Sequence, residues 1–121
     1  GRVVADGPGT VVCCSAGRDR TGLVTGMLLR ALGAPIAALQ DADERAVRSV
    51  NHRHLVRTTR HPYEAYRTGA ELAATISSRR EAIADFFEGL DAGGWLRERG
   101  VDVDAARAWL VDPEGGAAGD A

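Results

Sequence analysis

Apolar positions recur at helical spacing along most of the chain. Leu23, Val24, Met27, Leu28 and Leu32 predict a helix over residues 21–32, and Gly33 and Pro35 punctuate its end. A second helix is predicted over 35–56, with Ile36, Leu39 and Ala42 in one apolar row and Ala46, Val47 and Val50 in another. Residues 57–63 read as an irregular connection. Residues 64–76 are helical by pattern. Ser78 is read as the cap of a further helix running to about residue 90 and burying Ile83, Phe86, Phe87 and Leu90. Gly93 and Gly94 break the pattern, and short helices are predicted over 95–99 and 103–110. The Gly/Ala-rich tail after Pro113 is expected to fray.

One segment departs from this period. Thr10, Val11, Val12 and Cys13 form a short β-prone run after the turn signal Asp6-Gly7-Pro8-Gly9, so residues 10–13 are expected to be a short buried strand. A single strand followed by helices has no partner for its backbone, and each buried unpaired group costs on the order of 1–3 kcal/mol. The rest of the sheet is therefore expected upstream of residue 1, or from a second chain.

Composition narrows the classes. The 121 residues suit one small globular domain, with 45% hydrophobic and 26% charged positions and a formal net charge of -2. All 15 basic residues are Arg. The slightly acidic balance argues against nucleic acid as a partner. No apolar run is long enough to span a membrane. Cys13 and Cys14 are adjacent, which suits a reducing, cytoplasmic compartment and not a disulfide framework.

The chemistry lies in Cys14-Ser15-Ala16-Gly17-Arg18-Asp19-Arg20-Thr21-Gly22, between the expected strand and a helix. Such a loop can curl so that successive N–H groups face one centre, and the following helix aims its positive end there. Gly17 can take a positive φ in the curl, and Gly22 is expected to let the helix pack closely. Arg20 can hold two phosphate oxygens bidentately. Cys14 in these surroundings is expected to ionise easily and to attack phosphorus. Thr21 can hydrogen-bond the sulfur. Asp19, the acid within the loop, is a candidate proton donor to a leaving alcohol or acceptor from water.

These residues resemble the cysteine-dependent phosphatases of the protein-tyrosine-phosphatase superfamily, whose loop is His-Cys-x5-Arg-Ser/Thr. The string CCSAGRDRTG is more similar still to the bacterial tyrosine/lipid phosphatase family, with loop HC-x-AGKDRTG. Gly93-Gly94-Trp95-Leu96-Arg97 followed by Gly100-Val101 looks like a C-terminal element of that family. The resemblance implies part of an α/β tyrosine-phosphatase domain, its C-terminal portion over residues 1–113, with a flexible tail over 114–121. It implies phosphomonoester hydrolysis through a phosphocysteine, without cofactor or metal. The substrate would be a phosphorylated protein or a phosphoinositide. It implies Cys14 as nucleophile, Arg20 as phosphate binder and Asp19 as catalytic acid, with Ser15, Ala16, Gly17, Arg18, Thr21 and Gly22 completing the substrate loop. Two positions depart from the family string: Cys13 replaces the usual His, and Arg18 the usual Lys. A non-catalytic phosphate-binding remnant is the alternative, and a thiol-redox or sulfur-transfer role using Cys13 and Cys14 ranks behind it.

Residues 45–63 carry Arg45, Arg48, Arg53, Arg57 and Arg60 with three histidines and no acid, which reads either as a basic lip for an anionic substrate or as a solvated helix face. His52 and His54 diverge on a helix and do not make a metal pair. Trp95 and Trp109 are expected to pack against neighbouring elements, and so are Tyr63 and Tyr66, whose alternative is to line a substrate lip.

Overall fold

The computed structural model describes Val4 and residues 9–111. The turn at 6–9 lies largely outside the described residues, as does the tail expected over 114–121. The described residues are mostly helical: α1 (Asp19–Ala31), α2 (Ile36–Val56), α3 (Gly69–Glu88), α4 (Ala92–Glu98) and α5 (Val103–Leu110).

The strand expected over 10–13 is not formed; these residues have no regular secondary structure and Val11 is 83% exposed. A β-run acquires strand geometry only when a neighbour accepts its ladder hydrogen bonds, and no other described segment is a strand. The β propensity of these valines is overridden by the lack of that neighbour.

The two helices expected over 64–76 and 78–90 are one, α3. Ser77 and Ser78 are exposed within it, and no Gly or Pro interrupts that stretch. Leu72, Ile76, Ile83 and Phe87 keep a single apolar face across the serines, so continuing the helix buries more than restarting it. Its true start is set elsewhere. The Glu71 carboxylate accepts from the Thr68 N–H at 3.0 Å. The buried Asn51 of α2 accepts the Arg67 N–H at 2.8 Å and donates to the Arg67 carbonyl at 3.2 Å, which pins the 57–68 connection onto α2.

Helices α2 and α3 run antiparallel, as the pairs Asp41–Arg80 near one end and Asn51–Arg67 near the other require. Helix α1 packs on α4 and more lightly on α2. The core joins Met27, Leu39, Phe87 and Ala92, with Ala31, Ile36, Ile83 and Leu90 packed around it. The close approach expected at Gly22 is found one turn later. A Cβ at Gly22 would meet nothing within 4 Å, whereas one at Gly26 would lie 3.0 Å from Phe87 Cζ. Helix α1 ends where Gly33 turns the chain at φ +95°. Asp91 and Asp102 cap α4 and α5, accepting from the N–H groups of Gly94 and Ala105, each at 2.9 Å. Trp95 is partly exposed, with the Arg99 guanidinium 3.7 Å above its ring.

Candidate active site

The loop of residues 14–18 leads directly into α1, which begins at Asp19, two residues earlier than its apolar period indicates. Asp19 and Arg20 thus belong to the first helical turn. Gly17 takes φ +70° and makes the bend that brings the backbone of the loop round. Cys14 is half-buried beside this bend.

Its thiol is pushed down to about 6 from an ordinary value near 9. The Thr21 hydroxyl contributes most, followed by the Thr21 N–H; desolvation opposes them, and the Gly17 and Arg18 N–H groups add smaller contributions in the same direction as Thr21. Thr21 Oγ1 is buried and completes no hydrogen bond of regular geometry. It is therefore a free donor beside Cys14, one that a thiolate, the stronger acceptor, would engage. The N–H groups of residues 17, 18 and 21 converge on the same point, which is an anion cradle at a helix N-terminus.

Around this cradle runs a chain of ion pairs. Arg18 reaches both Asp19, at 3.1 Å, and Glu64. Glu64 in turn lies 3.1 Å from His54 Nε2. An ionised carboxylate only accepts, so the proton of that bond sits on the imidazole. On the other side Arg79 bonds Asp19 at 2.9 Å and grips Asp43 through two bonds, at 2.6 and 2.8 Å. Asp19 is held below the usual carboxylate range, first by its hydrogen bonds from Arg18 and then by those from Arg79. Glu64 is held down by Arg18 and then by His54. Arg18 and Arg79 are pushed further up by the acids they hold, Asp19 ahead of Glu64 for the first and Asp43 ahead of Asp19 for the second.

Of the residues the sequence singles out, the structure gathers Cys14, Gly17, Arg18 and Thr21 about the sulfur. Arg18 does not stand free at the rim; two carboxylates occupy it. Asp19 is ionised and in that state accepts a proton. Arg20 is exposed and bonds to nothing among the described residues, which leaves its guanidinium available to a ligand. Ser15, Ala16 and Gly22 are not among the residues whose groups act on the sulfur; the Gly22 N–H is bonded to the Arg18 carbonyl at 2.8 Å. Sequence reasoning did not assign Arg79, Asp43, Glu64 or His54 to the site. They lie 24 to 60 positions from Asp19, and only the antiparallel packing of α2 and α3 brings Arg79 and Asp43 to it.

Behind the loop, a cavity of about 370 Å³ opens between α1, α2 and α3. Leu29, Leu39, Ile83 and Phe86 line it together with Asp19, Asp43 and Arg79, while Cys14 and Arg20 do not. No helix among the described residues is long and apolar enough to cross a membrane.

No curated protein and no solved structure matches the chain. A model of the tyrosine phosphatase family matches residues 2–107, which include the whole loop, all five helices except the last turn of α5, and both arms of the ion-pair chain. With the anion cradle beneath Cys14 inside that match, the chain belongs to the tyrosine phosphatase family.

Proposed function

We propose that the chain hydrolyses phosphomonoesters through a phosphocysteine on Cys14. What carries this reading is the seat of Cys14 at the bend before α1, where the Thr21 hydroxyl and the N–H groups of Thr21, Gly17 and Arg18 push its thiol down to about 6. A phosphoryl group entering the cradle would meet the same N–H donors, and Arg20, whose guanidinium is unengaged, would turn to grip its oxygens. The thiolate attacks phosphorus. The S–P bond forms as the bond to the leaving oxygen breaks, and that oxygen takes a proton from solvent or from the small protonated fraction of Asp19. Water then attacks phosphorus and gives its proton to ionised Asp19. Sulfur leaves as the thiolate, which the Thr21 hydroxyl stabilises. The substrate class is a phosphorylated protein, tyrosine foremost, or a phosphoinositide, in keeping with the family.

The test is hydrolysis of an aryl phosphate under reductant, with Cys14→Ser beside the unaltered chain. Activity that vanishes in Cys14→Ser, is blocked by vanadate and follows an acidic limb near pH 6 supports the reading. Phosphate binding without turnover in the unaltered chain would overturn it in favour of a phosphate-binding module.

A further inference from the structure

Most of the described arginines are engaged. Arg18, Arg48, Arg79, Arg80 and Arg97 hold carboxylates, and Arg30, Arg99 and Arg107 hold backbone carbonyls. Apart from Arg20 in the active-site loop and Arg45 further up α2, the described arginines whose side chains hold nothing lie together at the end of α2 and in the connection after it. They are Arg53, Arg57 and Arg60, all exposed. No acid occurs between Glu44 and Glu64. Glu64, which could neutralise them, is committed to Arg18 and His54.

Large apolar side chains stand among these cations. Leu55 is 57% exposed, Val56 61% and Tyr63 92%, so the packing role expected for Tyr63 is not found. Val56 and the two residues beside it are consecutive, so the apolar and basic groups share one tip. Neither the large cavity between the helices nor the small one beside Asn51 is lined by Arg53, Leu55, Val56, Arg57, Arg60 or Tyr63. Side chains that protrude this far from the helix end suit a flat, fluid partner better than a peptide or a single headgroup, which needs a concave site. Cations around protruding aliphatic and aromatic groups match the anionic headgroup layer above a hydrocarbon boundary.

We infer that residues 53–63 form a docking surface for an anionic phospholipid bilayer. It is separate from the cradle at Cys14 and does not depend on turnover there. The arginines pair with headgroup phosphates and serine carboxylates, while Leu55, Val56 and Tyr63 enter the interface. The attraction falls as salt rises, because exposed charges are screened over about 10 Å at ordinary ionic strength.

The experiment is co-sedimentation of the full chain with vesicles of phosphatidylcholine alone or with about a third phosphatidylserine. Binding is expected to the anionic vesicles only. Each arginine near the surface contributes about fivefold, so the triple variant Arg53→Gln/Arg57→Gln/Arg60→Gln should lose roughly a hundredfold in partition. Leu55→Ser/Val56→Ser should lose severalfold and keep the salt dependence. Arg97→Gln/Arg99→Gln removes charge elsewhere and should change partition by less than about twofold. All these side chains are exposed, and far-UV circular dichroism confirms that each variant is folded. Equal binding to neutral vesicles, unchanged binding of the triple variant, or an equal loss in the Arg97/Arg99 variant would each overturn the inference. Capture of polyglutamate with no binding to anionic vesicles would overturn it too, in favour of an acidic protein partner.

Discussion

Removing one hydroxyl should disable the nucleophile without touching the sulfur. Thr21→Val keeps the side-chain volume and deletes the group with the largest influence on Cys14. With the thiol at about 6, about 90% is thiolate at pH 7; at its ordinary value near 9 the fraction is about 1%. The N–H donors of Gly17, Arg18 and Thr21 remain in the variant, so the value should rise only part of the way. A rise of one unit already brings the thiolate to about half, and a rise of two to about a tenth. The assay is the pH dependence of alkylation by iodoacetamide, in a Cys13→Ser background so that one thiol reports. The midpoint should move upward in Thr21→Val and return in Thr21→Ser. Turnover of an aryl phosphate should fall further than the thiolate fraction does, because the hydroxyl also supports the departing sulfur. An unchanged midpoint in Thr21→Val would refute the idea that this hydroxyl faces Sγ.

Four other outcomes follow from the same contacts. Arg79→Gln frees one side of Asp19 and leaves Asp43 unpaired, so the Asp19 titration, followed by carboxylate NMR, should move upward toward the ordinary range; no movement would place the control with Arg18 alone. Gly26→Ala should destabilise the fold by about 1 kcal/mol in urea denaturation, since the Phe87 contact outweighs the gain in helix propensity, whereas Gly22→Ala, in open space, should gain up to about 1 kcal/mol. Asn51→Ala strands the N–H and carbonyl of Arg67 and should cost about 1–3 kcal/mol in the same assay. Because the folded Cys14 value lies below the unfolded one, its contribution to stability is complete above pH 9 and is lost as pH falls to about 6. The stability difference between the unaltered chain and Cys14→Ser should shrink over that window, and a difference that grows toward acid would contradict the sign.

The helical part of the fold was readable because its apolar faces repeat. The predicted 103–110 agrees with α5 at both ends, and α2 differs by one residue. Where local signals competed, the longer-range pattern prevailed. Ser78 has the chemistry of a cap, but Leu72, Ile76, Ile83 and Phe87 lie on one stripe that only an unbroken helix preserves. The true boundary depends on Asn51 holding Arg67, a pairing 16 positions apart that no local pattern reveals. The opposite imbalance governs residues 10–13. Their strand propensity is real, but a strand is a relation between two segments, and no other described segment takes part.

The same distinction separates the two halves of the candidate site. The cradle is local: Cys14, Gly17, Arg18 and Thr21 lie within eight positions, so a loop, a glycine bend and a helix start are enough to specify it. The proton chemistry is not local. Asp19 alone, at a helix N-terminus, could serve as acid or base. Its state is set first by the adjacent Arg18 and then by Arg79, 60 positions away, which is itself oriented by Asp43 from the facing helix. An aspartate gripped from both sides by guanidinium groups is a weak proton donor at neutral pH and a ready hydrogen-bond acceptor. If turnover proceeds as proposed, Asp19 should therefore matter more when water attacks the phosphocysteine than when the ester bond breaks. Asp19→Asn should then give a burst of aryl oxide followed by a slow steady rate, with phosphate retained on Cys14. A variant that slows the burst itself by as much as the steady rate would instead assign Asp19 to the first step, with the Arg18 and Arg79 contacts released when substrate binds.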